Sequence, residues 1–133
     1  MAAVTQDVKI IRHPLAGQRF NVKLLADVAT TSDNNKWVGV AGARDMTVIV
    51  SGLASADNPQ PSANSADIQI RVHNSRARPA QTDFGFPAYG ATRDAAVYIA
   101  GPIEWIKADV TRVTLPANWH AAASIDVDVS GVY

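Results

Sequence analysis

Across residues 67 to 73 every second side chain is apolar: Ile68, Ile70 and Val72 alternate with Asp67, Gln69, Arg71 and His73. Successive side chains of an extended chain point to opposite faces, so this segment has one dry face and one wet face. The pattern recurs from residue 125 to 130, where Ile125, Val127 and Val129 alternate with Asp126, Asp128 and Ser130. Aspartate is a poor strand former, so burial of the β-branched face must dominate there. Strands with one wet face belong to antiparallel sheets that pack on one side only.

Other segments fit the same period. Phe20, Val22, Leu24, Ala26 and Val28 alternate with Asn21, Lys23 and Asp27, although Leu25 breaks the pattern. Residues 45 to 51 are apolar on nearly both faces, as a central strand would be. Residues 37 to 40, 96 to 99 and 105 to 113 complete the set, with Ile106, Ala108 and Val110 set against Lys107, Asp109 and Thr111. No segment carries a helical period. The breaks hold turn residues: Thr31 to Asn35, then 55 to 65 with Pro59 and Pro61, then Pro116-Ala117-Asn118. The spacing predicts an all-β fold, a single jelly-roll-like or Ig-like antiparallel β-sandwich of about seven or eight strands.

A chain of 133 residues fits one domain and can bury a usable core without disulfide or metal. We divide it into an N-terminal extended arm, 1–19, and a β-sandwich domain, 20–133. The arm holds Pro14 and Gly17 and little core pattern beyond Val8, Ile10 and Ile11. Its start lacks the basic and apolar regions of a signal peptide, and no apolar run reaches the roughly 20 residues of a membrane span. The expectation is a protein made in the cytoplasm, with no membrane partner.

Twelve basic residues balance twelve acidic ones. Nucleic-acid binders carry a basic surplus that neutralises phosphates, so no nucleic-acid partner is expected. Without cysteine there is no thiol catalysis and no Cys-type zinc site. His13, His73 and His120 lie too far apart in sequence to suggest a metal site. No serine sits in a nucleophile-elbow context, and Gly39-Val40-Ala41-Gly42 lacks the Lys-Ser/Thr of a phosphate loop. Asp126 and Asp128 read as a solvated strand face. The expectation is no enzyme, no cofactor and no metal.

Binding has better candidates. Residues 76 to 93 form the longest stretch without periodicity, and they hold Phe84, Phe86 and Tyr89 among Gly85, Pro87 and Gly90. Aromatics on such a loop serve as anchors in a partner's pocket or cap the end of a core; stacking on sugars is a third use. Arg76 and Arg78, beside Arg71 and His73, form a local basic cluster suited to an acidic patch on a partner protein. Val8, Ile10 and Ile11 suit an arm laid along a neighbour's sheet edge, where it adds main-chain hydrogen bonds.

Four segments, taken in order, carry a resemblance. Residues 38 to 52 (VGVAGARDMTVIVSG) resemble the "glycine, then Arg-Asp-hydrophobic-Thr-Val" strand of small tailed-phage virion proteins. Residues 66 to 75 (ADIQIRVHNS) are similar to their next strand. Residues 98 to 110 (YIAGPIEWIKADV) resemble their "Gly-Pro-x-x-Trp/Tyr-hydrophobic-Arg/Lys-Ala" strand, and residues 123 to 133 resemble their closing core strand. The resemblance runs from residue 20 to 133. The loop 76–93 and the N-terminal arm depart from the commoner form. The resemblance implies a virion structural protein of the capsid decoration (cement) type, which binds the major capsid protein or another virion protein. It also implies a homo-oligomer, a trimer on the shell. The alternative is a tail, neck or fibre module that recognises a protein partner or surface glycan.

Overall fold

The computed structural model describes residues 17–28, 31–32, 35–52, 65–92, 94–114 and 124–133. Six strands account for most of them: β1 (Arg19–Val28), β2 (Val38–Ser51), β3 (Ser65–His73), β4 (Phe86–Ala91), β5 (Ala95–Thr114) and β6 (Ile125–Val132). They form one open antiparallel sheet in the order β1-β6-β2-β5-β3-β4, with no helix among the described residues. The all-β expectation holds. Among the described residues the strand number is six: 38 to 40 and 45 to 51 belong to one strand, β2, 96 to 99 and 105 to 113 belong to another, β5, and β4 is added from within the 76–93 loop. The arm residues Val8, Ile10 and Ile11 lie outside the described residues.

Both long strands bend where the sequence reads as a break. In β2 the pairing slips between Gly39 and Ala43 and again before Asp45, with Ala41 and Gly42 at positive φ. Opposite them β5 passes through Gly101 and Pro102, joined by a cis peptide bond. A side chain at Gly101 would place its Cβ 1.9 Å from the Ala43 carbonyl oxygen, so glycine alone permits this approach.

The bend folds the sheet over. Val28 pairs with Ile125, Asp126 with Ser51, and Val50 with Ala95, so the end of β1 lies level with the start of β5. Yet Ser32 exchanges two backbone hydrogen bonds with Val110, each 2.8 Å. Four residues of chain reach at most about 14 Å. A straight β5 would carry Val110 about 50 Å from Ala95. The second half of β5 must therefore turn back towards the end of β1.

The apolar faces meet inside this fold. Val22, Leu24, Val48, Ile70, Ile106 and Val127 belong to one buried cluster that draws on every strand. A bulge between Lys23 and Leu25 lets two neighbours, Leu24 and Leu25, both turn inward. β6 keeps strict alternation, with Ile125, Val127 and Val129 buried and Asp126, Asp128 and Ser130 outward.

Candidate interaction surface

Residues 74 to 85 link β3 to β4 and cross the outer face of the second half of β5 as a strap. Alternation puts Lys107 and Asp109 on that outer face, opposite Ile106, Ala108 and Val110. The strap reaches over Lys107 through the Gln81 carbonyl, while Arg71 and Asn35 close on Asp109. Lys107 is 0% and Asp109 1% exposed at the side chain.

The strap is tied down along its length. Asn74 donates through Nδ2 to the Pro102 carbonyl at 3.0 Å and accepts from the Glu104 N–H at 2.8 Å. The Trp105 indole donates to the Ser75 carbonyl at 2.8 Å. Arg78 donates to the Trp37 carbonyl while its guanidinium sits 5.1 Å above the Trp105 ring. Lys107 Nζ donates to the Gln81 carbonyl at 3.2 Å, and the Trp37 indole donates to the Asp83 carbonyl at 3.1 Å. Gly85 has φ +59, and a Cβ there would meet the Trp37 ring at 2.5 Å, so the strap's end lies directly on that indole.

Beneath the strap is a compact charged cluster. Asp109 accepts from Arg71 Nε at 3.1 Å and from the Asn35 N–H at 3.3 Å, with Lys107 Nζ 3.7 Å away. The Asn35 amide donates to the Ser32 and Ala108 carbonyls. The Lys107 ammonium also lies 4.9 Å from the Trp37 ring centroid and 5.5 Å from that of Phe84. Burial pushes the Lys107 amine below its ordinary range, and Asp109 pulls it partly back. An amine with a lowered pKa is the kind that attacks carbonyls. Here two aromatic rings and a backbone carbonyl occupy the space around it, so the cluster is built as a scaffold.

That scaffold fixes what stands above it. Arg71 lies 5.1 Å from the Phe84 ring centroid, covering one face and leaving the residue 51% exposed. Phe86 is 67% exposed, its ring beside His73, which also stands edge-on to Trp37. His73 Nε2 is 3.1 Å from Asp83 Oδ2. The Gly85 N–H, bonded to Asp83 Oδ1 at 2.8 Å, holds the Asp83 carboxyl below its ordinary range, with His73 adding to the effect.

The structure thus separates the aromatic residues of the loop. Phe84 and Phe86 face solvent, whereas Tyr89 is half-buried against the core. Phe86 and Tyr89 both lie in β4, which among the described strands is at the edge and pairs with β3 alone. Arg76 is exposed on the strap, while Arg78 is engaged with Trp37 and Trp105. Among the described residues no group of three or more potential metal ligands exists. The buried group of Lys107, Asp109, Asn35 and Trp37 escaped sequence reasoning. Its only signal is the alternation of β5, which marks an outer face without revealing its cover.

Comparison with protein-family models, with curated proteins and with solved structures finds no match.

Proposed function

We propose that this chain is a non-enzymatic assembly module, a virion structural protein of the capsid decoration type that binds the major capsid protein of its shell. The observation that carries the binding role is the pair Phe84 and Phe86. Two large apolar side chains stand in solvent, Phe84 on the strap and Phe86 in β4, the edge strand of the sheet that the described residues form. Anchors held in place before contact lose little freedom on binding, which favours affinity. An edge strand offers unpaired backbone groups to a partner strand. Balanced charge suits a protein packed among many copies of itself. The virion assignment rests on the ordered sequence resemblance. In this reading the folded-over sheet is a small jelly-roll-like or Ig-like sandwich, and three copies meet on the shell.

The test uses shells assembled from the major capsid protein of the same virus, with and without the chain, heated while light scattering is followed. Bound chain should cosediment with shells and raise their disruption temperature, and Phe84→Ser/Phe86→Ser should do neither. Shells that neither retain the chain nor gain stability would overturn the proposal.

A further inference from the structure

A second surface lies away from the strap, on the outer face of β1, β6, β2 and β5. Asn21 pairs with Ser130, Ser130 with Thr47, and Thr47 with Tyr98, so these four residues form one row across four strands. At the usual strand separation the row is about 14 Å long. It lines a shallow groove of about 420 Å³, with the backbone of β6 at Gly131 beneath it.

We propose that this groove binds a neutral saccharide chain, with Tyr98 as the stacking platform and the Asn21–Ser130–Thr47 row addressing sugar hydroxyls. Tyr98 is 61% exposed, yet it is not free to swing: its hydroxyl donates to the Asp45 carboxylate. Asp45 sits diagonally from Tyr98 on the neighbouring strand. The tether holds this exposed ring in one place at the wall of the groove. Such a flat ring takes the apolar face of a pyranose. Asn, Ser and Thr are short, lose little rotamer entropy when they bind, and offer both donors and acceptors, as hydroxyl groups require. Ser130 donates to Asn21 Oδ1, which fixes the row before any ligand arrives.

The charges around the groove argue against other ligands. Arg19 and Asp45 share the next row and offset one another. On the far side Lys23 is held by Asp128 at 2.9 Å and Asp126 at 3.3 Å. Among the described residues of this face each of these cations has an acidic neighbour, which disfavours a phosphate or sulfate. The buried centre of a protein interface is more apolar than its rim, whereas among the described residues the large apolar groups exposed on this face are Tyr98 and Ile49.

The test titrates the isotopically labelled full chain with neutral trisaccharides built from glucose, galactose, mannose or N-acetylglucosamine, following backbone amide signals. At least one sugar should shift the amides of Asn21, Thr47, Tyr98 and Ser130. Tyr98→Ala should weaken it roughly tenfold or more, as loss of a central aromatic contact does. Tyr98→Phe, which keeps the ring, should remain closer to wild type. Phe86→Ala should bind the sugar as wild type does, since that residue lies on the other surface. No shift in this row with any sugar up to about 10 mM, a concentration that would reveal even a very weak complex, overturns the proposal. So do shifts that follow protein concentration alone, which would make the face a contact between two copies, and equal binding by Tyr98→Ala.

Discussion

Lys107 and Asp109 stand two residues apart on the same face of β5, both sealed from solvent, with Nζ 3.7 Å from Oδ2. Arg71 approaches the same carboxylate, so one buried anion serves two cations. The two sides of the pair are therefore not equivalent. Asp109→Ala strands Lys107 and Arg71 together and should cost about 3–5 kcal/mol of unfolding free energy. Lys107→Met leaves Asp109 with Arg71 and the Asn35 N–H, and should cost clearly less. Urea unfolding of both variants checks the ranking, and equal losses would contradict it.

The same lysine gives stability a pH dependence. Burial lowers its pKa in the folded chain below the ordinary 10.5. Between the folded value and 10.5 the unfolded chain binds more protons at this site, so its contribution to stability rises with pH. Wild type should gain stability relative to Lys107→Met as pH approaches 10.5. A difference that stays flat or falls over that window counts against the buried, charged lysine.

Acid should loosen the strap through Asp83. Its carboxyl is held below the usual 3.8 by the Gly85 N–H and by His73. A depressed carboxyl contributes stability above its unfolded pKa and loses it as pH falls through the folded value. Below about pH 3.8 the Trp37 indole N–H signal, bonded to the Asp83 carbonyl, should therefore shift ahead of global unfolding. In Asp83→Asn that early acid shift should disappear. A variant that keeps it would assign the transition to another group.

The bend in the sheet predicts a sharp contrast between two glycines. Gly101→Ala drives a Cβ to 1.9 Å from the Ala43 carbonyl, in backbone that cannot step aside, and should cost more than about 2 kcal/mol. Gly17→Ala has φ +83 but nothing within 4 Å, so it should cost only about 1 kcal/mol, for the strained backbone alone. Thermal melts of the two variants decide it.

Beneath the exposed pair, Trp37 should dominate stability while the pair itself contributes almost nothing. Trp37→Ala removes a side chain that is fully enclosed and should cost about 3–5 kcal/mol. Phe86→Ala should change stability by no more than about 0.5 kcal/mol. A large loss at Phe86 would mean that it packs as core rather than standing ready for a partner.

Much of the sheet was legible because its outer and inner faces differ. Ile68, Ile70, Ile125, Val127 and Val129 all lie where a period of two places them. The bends were not legible. Gly39 to Gly42 and Gly101-Pro102 carry the composition of turns, and only tertiary packing shows that the strands run through them. β4 was hidden for the same reason: Pro87 and Gly90 weaken a strand signal, and an edge strand with one partner tolerates both. The aromatic loop stands out in the sequence, but the sequence leaves open whether Phe84 and Phe86 face solvent or cap the core, and only the structure places them in solvent. The burial of Lys107 was not legible, because it depends on a strap from a distant part of the chain. The row of Asn21, Ser130, Thr47 and Tyr98 depends on pairing register across four strands, which no local pattern encodes.

The shared strands have a kinetic and mechanical consequence. β2 and β5 each run through both halves of the folded-over sheet, so neither half owns enough strands to persist alone. Unfolding should be all-or-none, without a half-molecule intermediate. Pairings such as Arg19 with Val132 join opposite ends of the described chain, and closing such distant contacts makes folding slow. A force applied across β5 would load both halves together, so the strand acts as a beam rather than as a hinge.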